Sequence, residues 1–149
     1  MLRALKRIFD PAQAGTPAVP AHERRHLQVA VAILLHEARR SDYTEGDAES
    51  DIAVRALAEI FGVEPEVCTA LLEEGRAKGE QLTSFYAPLT VIKREFSMEE
   101  RILLVEHLWR VTFADGQLNL YEDHYVRKIA HLLHVPNTQS MLARNRARS

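Results

Sequence analysis

With 149 residues, 46% hydrophobic and 27% charged, the chain has the make-up of one folded domain with a core of its own. A net charge of −2 excludes a general nucleic-acid binder, because no strong positive field exists to displace counterions from phosphate. One cysteine, Cys68, excludes an intrachain disulfide and a Cys-rich zinc site, and no apolar run approaches the roughly 20 residues that cross a bilayer.

Met1 to Phe9 sets Leu2, Leu5, Ile8 and Phe9 against Arg3, Lys6 and Arg7 at helical spacing. Such a short basic segment can make peripheral contact with an anionic membrane or a partner, but docking on its own domain is the plainer expectation. Asp10 to Ala21, with Pro11, Gly15, Pro17 and Pro20, reads as a linker. The folded domain is therefore expected over 22–146, with 147–149 as a tail. From His22 to Arg40 no proline or glycine interrupts, and Leu27 to Ala38 is apolar on nearly every side, as a central helix of a bundle requires. Residues 41–47 are turn formers and acids.

A helix is expected from Ala48 to Phe61, burying Ala53, Val54, Leu57, Ile60 and Phe61 and stopping at Gly62. Pro65 opens the next, over Glu66 to Glu74, which should end near Gly75 or Gly79. Residues 80–95 look helical, with Leu82, Phe85, Tyr86, Leu89, Ile92 and Phe96 as core candidates and Pro88 predicting a kink or a split. Ser97-Met98-Glu99-Glu100 is a capping box. It opens a second central helix, from Met98 to Phe113, with only a narrow polar stripe near Glu106 and Arg110. A similar start at Asn119 leads into a helix reaching Leu133 or His134, with Val126, Ile129, Ala130 and Leu133 buried. Pro136 opens a last helix to about Arg144. No segment alternates with period two, so the predicted fold is all-α, a compact bundle of about seven helices.

Asp42 and Asp115 stand 73 residues apart, and so do Glu49 and Glu122. Each half therefore reads Asp-x6-Glu, preceded by a nearly all-apolar helix and followed by an amphipathic one that breaks before Pro65 or Pro136. With one residue of slippage, Leu57 to Val63 overlays Ile129 to Val135. This is an internal duplication of a helix-loop-helix unit.

The four acids are the candidate metal ligands. Asp115-Gly116, Leu118 and Glu122 have the layout of the latter half of an EF-hand loop, but Val111 and Phe113 occupy positions where that loop needs oxygens. One loop is thus insufficient for calcium, whereas two loops offering Asp42, Glu49, Asp115 and Glu122 with carbonyls and water would suffice. By helical geometry Glu122 projects toward the apolar side of its helix, where a carboxylate needs a partner. The structural alternative is that Asp115 makes a turn, Glu122 caps backbone N–H groups, and Arg110 or Lys128 pairs with either acid.

Other chemistry is sparse. Cys68 shares an apolar register with Val67, Leu71 and Leu72 and is expected to be inert packing. His131 with His134, and His22 with His26, have metal-ligand spacings but are expected in solvent; Trp109 and Tyr125 are expected in the core. No phosphate loop, metalloprotease histidine pair or nucleophile elbow is present, so the chain is expected not to be an enzyme.

The run from Phe96 to Val135, with its Ala-Asp-Gly-x5-Glu core at Ala114 to Glu122, resembles the tellurite-resistance TerB-like domains of bacteria. The likeness extends over about 22–146, although Tyr43 follows Asp42 where the second half has Asp-Gly. What the resemblance implies is a cytoplasmic helical bundle of two related halves, with an acidic site for a divalent cation, a role in stress response and protein partners in a stress-response complex. Asp115 and Glu122 match the motif, and Asp42 and Glu49 match by spacing. Calcium is the expected cation, since all-carboxylate ligation favours a hard ion. A metal-independent interaction module, using the helical surface or the N-terminal segment, is the competing expectation.

Overall fold

A computed structural model of the chain describes residues 21–40, 47–114 and 120–148, and the side chains of all of these except 39, 40 and 47–51. The expected N-terminal amphipathic segment, the linker as far as Pro20, the turn carrying Asp42 and the turn at Asp115 to Asn119 lie outside the described residues. The described residues form seven helices and no strand: α1 (Ala21–Arg40), α2 (Asp47–Phe61), α3 (Pro65–Gly79), α4 (Tyr86–Glu95), α5 (Met98–Thr112), α6 (Leu120–Leu132) and α7 (Asn137–Arg148).

The two helices that are apolar around most of their circumference occupy the centre, because only there can every face be covered. Leu27, Val31, Leu34 and Leu35 of α1 and Leu104, Val105, Leu108 and Trp109 of α5 are fully buried. α1 packs against α2 through α6, and α5 packs against α1, α2, α6 and α7. The capping box forms as expected: the Ser97 hydroxyl accepts from the Glu100 N–H at 3.2 Å, and the Glu100 carboxylate accepts from the Ser97 N–H at 2.7 Å.

α3 runs through Gly75 to Gly79, the later of the two expected ends. Gly75 is buried in the helix, and a Cβ there would stand 2.9 Å from both the carbonyl carbon of Ala32 and the nitrogen of Ile33. Its role is close approach of α3 to α1, not termination. α4 begins only at Tyr86, so Pro88 falls in the first turn, where a missing N–H costs nothing, and no kink results. Leu89, Ile92 and Phe96 are buried as expected, whereas Tyr86 faces solvent and is not a core residue. α7 continues to Arg148, a turn beyond its expected end.

The duplication is visible in three dimensions. In each half the first and third helices pack most extensively, α1 with α3 and α5 with α7, while the second lies against both. α2 ends at Gly62 with φ +66°, and α6 is followed by His134 with φ +61°. Those two residues correspond in the overlay of Leu57–Val63 on Ile129–Val135, and no other described residue has a positive φ. Gly62 N–H bonds to Ala58 O at 2.8 Å, and His134 and Val135 N–H groups bond to His131 O and Ala130 O at 3.0 and 2.9 Å. Both ends thus satisfy terminal carbonyls through a left-handed residue.

Candidate metal centre and the cleft beside it

Glu49 is the third residue of α2 and Glu122 the third residue of α6, so each half carries its glutamate in the first turn of its second helix. Glu122 is only 2% exposed, because it lies one turn before Val126 on the stripe that continues through Ile129, Ala130 and Leu133, all buried. The inward direction read from helical spacing is therefore correct. Glu122 also has an interaction within the chain. Asp42 and Asp115 lie outside the described residues, as does the Glu49 side chain. Among the described residues no three His, Cys, Asp or Glu side chains are grouped to hold a metal.

A cleft of about 480 Å³ lies between α2, α5 and α7. One wall is α2 from Ile52, a turn beyond Glu49; another is the end of α5 through Ala114, which directly precedes Asp115; Ala147 of α7 closes a side. Arg55, Glu59, His107 and Arg110 bring charge and polarity to it. Burial first, and the Arg110 charge second, hold the His107 imidazole at a pKa of about 4. The 3.4 Å approach of its Nε2 to Glu59 is thus a contact of a neutral ring and not a salt bridge near pH 7.

Below the cleft an unexpected ion cluster ties α5 to α7. Glu106 is 2% exposed, and its two carboxylate oxygens accept from Arg110 Nη2 and Arg146 Nε, each at 2.5 Å. The polar stripe expected to reach solvent at Glu106 and Arg110 is instead roofed at Glu106 by α7, and the Arg110 guanidinium is committed to Glu106. Arg144 lies 5.5 Å from the centre of the buried Trp109 ring and 3.7 Å from Asp123, binding α7 to both α5 and α6. The i,i+4 spacing of Glu106 and Arg110 is legible in sequence; Arg146, forty residues on, carries no local signal.

The remaining candidates fall as expected. Cys68 is a buried free thiol, its pKa pushed up chiefly by burial, so it is not poised as a nucleophile. Tyr125 is buried, and its hydroxyl donates to Leu34 O at 2.8 Å. His22, His26, His131 and His134 are exposed.

An all-helical bundle of two three-helix halves joined through α4, with an acidic residue in the first turn of each second helix, defines the class. A family model described as tellurite resistance protein TerB matches residues 28–145, and the chain belongs to the TerB family. No curated protein and no solved structure gives a match. No helix among the described residues is long and apolar enough to cross a membrane.

Proposed function

We propose that this TerB-family chain is a non-catalytic helical domain that binds a divalent cation, calcium foremost, through Asp42, Glu49, Asp115 and Glu122. It would act as a sensing or scaffolding part of a bacterial stress-response complex. The observation that carries this reading is the matched placement of Glu49 and Glu122 at the third position of equivalent helices, with Glu122 buried there. A carboxylate in apolar surroundings gains most from a cation that neutralises it, and an all-oxygen donor set suits a hard ion. The cation's contribution is to neutralise and join the two acid-bearing turns; the bundle's is to aim Glu122 inward from a rigid helix.

Thermal unfolding of chelator-treated protein, followed by Trp109 fluorescence against rising Ca²⁺ with Mg²⁺ and Mn²⁺ in parallel, tests this. Saturable stabilisation near 2.7 kcal/mol at about a hundredfold excess over Kd is expected, and its loss in Asp115→Asn and Glu122→Gln. A midpoint unmoved by millimolar cation refutes the metal reading. One observation favours a metal-independent interaction module instead: Glu122 already has an interaction within the chain. In that case both substitutions lower stability by about 0.5–2 kcal/mol whether or not cation is present.

A further inference from the structure

On the side of the bundle where α4 and α6 come together, a groove of about 310 Å³ is bounded by Phe85, Tyr86, Leu89, Lys93, Lys128 and Leu132. Its floor is held from behind. Phe85 meets the buried Tyr125 ring edge-on at 6.0 Å, and Tyr125 is anchored to Leu34 of α1. Its rim is unusually apolar for an exposed surface: Tyr86 is 76% exposed and Leu132 37%, while Tyr121, 61% exposed, continues the α6 edge toward the helix N-terminus.

The two helices carry the same pair of groups at the same spacing, and of these Tyr86, Lys93 and Lys128 line the groove. Tyr86 and Lys93 on α4, and Tyr121 and Lys128 on α6, are each seven residues apart, two helical turns, and so share a face. Neither lysine has an ion-pair partner among the described residues. The acids nearest in sequence are already committed, Glu95 to Arg94 at 2.9 Å and Asp123 to Arg127 at 2.5 Å. Other described surface charges are paired in places, as in Arg25 with Glu74 and Arg76 with Glu73 and Glu80. Two uncompensated cations flanking an apolar floor with an aromatic rim have the composition of a recognition surface.

We propose that the α4–α6 groove docks an acidic amphipathic helix from a partner protein. Its apolar side chains would cover Phe85, Leu89 and Leu132, and its carboxylates would meet Lys93 and Lys128, the helix-in-groove mode of recognition. Charge excludes the nearer occupants. The chain's own N-terminal segment carries Arg3, Lys6 and Arg7, of the same sign as the groove. A second copy docking through the same face would set these lysines against themselves, since a two-fold interface is self-facing.

The probe is a fluorescein-labelled helical peptide of about five turns, leucine on one face and glutamate on the other. Its anisotropy is titrated with the full-length protein, in chelator and again in calcium. A scrambled peptide of the same composition, and a counterpart with lysine for glutamate, run beside it. The acidic helix is expected to bind saturably and the other two not, with at least about a tenfold loss of affinity in K93E/K128E. The lysine peptide should bind that double variant. Both lysines are surface residues, and circular dichroism of the variant verifies its fold; Leu132→Asp, which removes an apolar contact without touching a lysine, should also weaken binding. Equal binding of the scrambled peptide, or an affinity unchanged in both variants, overturns the proposal. So does binding of anionic phospholipid vesicles in place of the peptide, which would make the groove a membrane contact. Binding indifferent to calcium upholds the groove whatever becomes of the cation site.

Discussion

At position 134 the backbone adopts a conformation suited to glycine, and the chain supplies histidine. Its counterpart, Gly62, takes the same left-handed φ with no atom within 4 Å of where a Cβ would stand, so only conformational preference distinguishes the two sites. Left-handed backbone costs an L-residue about 1–2 kcal/mol, part of which glycine gives back through its freer unfolded chain. His134→Gly should therefore raise stability by up to about 1 kcal/mol, and Gly62→Ala should lower it by a similar amount, both read from urea unfolding midpoints. His107 yields a prediction of a different kind. An unfolded histidine takes up its proton near pH 6.5, whereas folded His107, packed beside Arg110 and Glu59, resists protonation until about 4. Between those values the unfolded state holds more protons, so stability falls as pH drops, by up to about 1.4 kcal/mol per pH unit from this residue. Denaturant melts at pH 6.5, 5.5 and 4.5 should show a shallower decline in His107→Gln than in the parent.

At the scale of the element, the contact between α1 and α3 is set by an absence. Glycine inside a helix costs about 1 kcal/mol relative to alanine, so propensity alone predicts that Gly75→Ala stabilises. The Cβ would instead press at 2.9 Å on the backbone of Ala32 and Ile33, which cannot swing aside as a side chain can. The substitution should lower stability by about 1–2 kcal/mol net. Gly79→Ala is the control: its Cβ meets only Ile33 Cγ2, at an ordinary 3.6 Å, and the midpoint should hold or rise. α7 illustrates the opposite device. Its isolated sequence is polar, yet Arg144 over Trp109 and Arg146 on the buried Glu106 fasten it to α5 by charge and π-contact, with Ser140 and Ala143 as its buried residues.

Across the whole molecule, two three-helix halves share one core. α1 of the first half packs on α5 and α6 of the second, and α2 packs on α5, so neither half has a separate interior. Unfolding should be a single transition: far-UV circular dichroism and the fluorescence of Trp109, buried in the second half, should give coincident midpoints. Two transitions would mean that the halves kept the independence their duplication suggests. The same arrangement brings α2, the end of α5 and α7 to one cleft, which belongs to the pair of halves and to neither alone.

Much of this was legible from residue order. Apolar periodicity identified the helices and the two central ones, because a helix face that meets protein everywhere must be apolar everywhere, and the capping box at Ser97 and the inward aim of Glu122 follow from spacing within a few residues. The duplication, the TerB likeness and the four acids are also properties of the chain read by itself. Tertiary structure alone decided what depends on distant partners. Gly75 reads as a helix stop until Ala32 is beside it, and Glu106 as a surface residue until Arg146 reaches it. Tyr86 reads as core by its period, yet it follows a turn that leaves it in solvent. Local spacing determines which faces a helix has; only packing determines what each face meets.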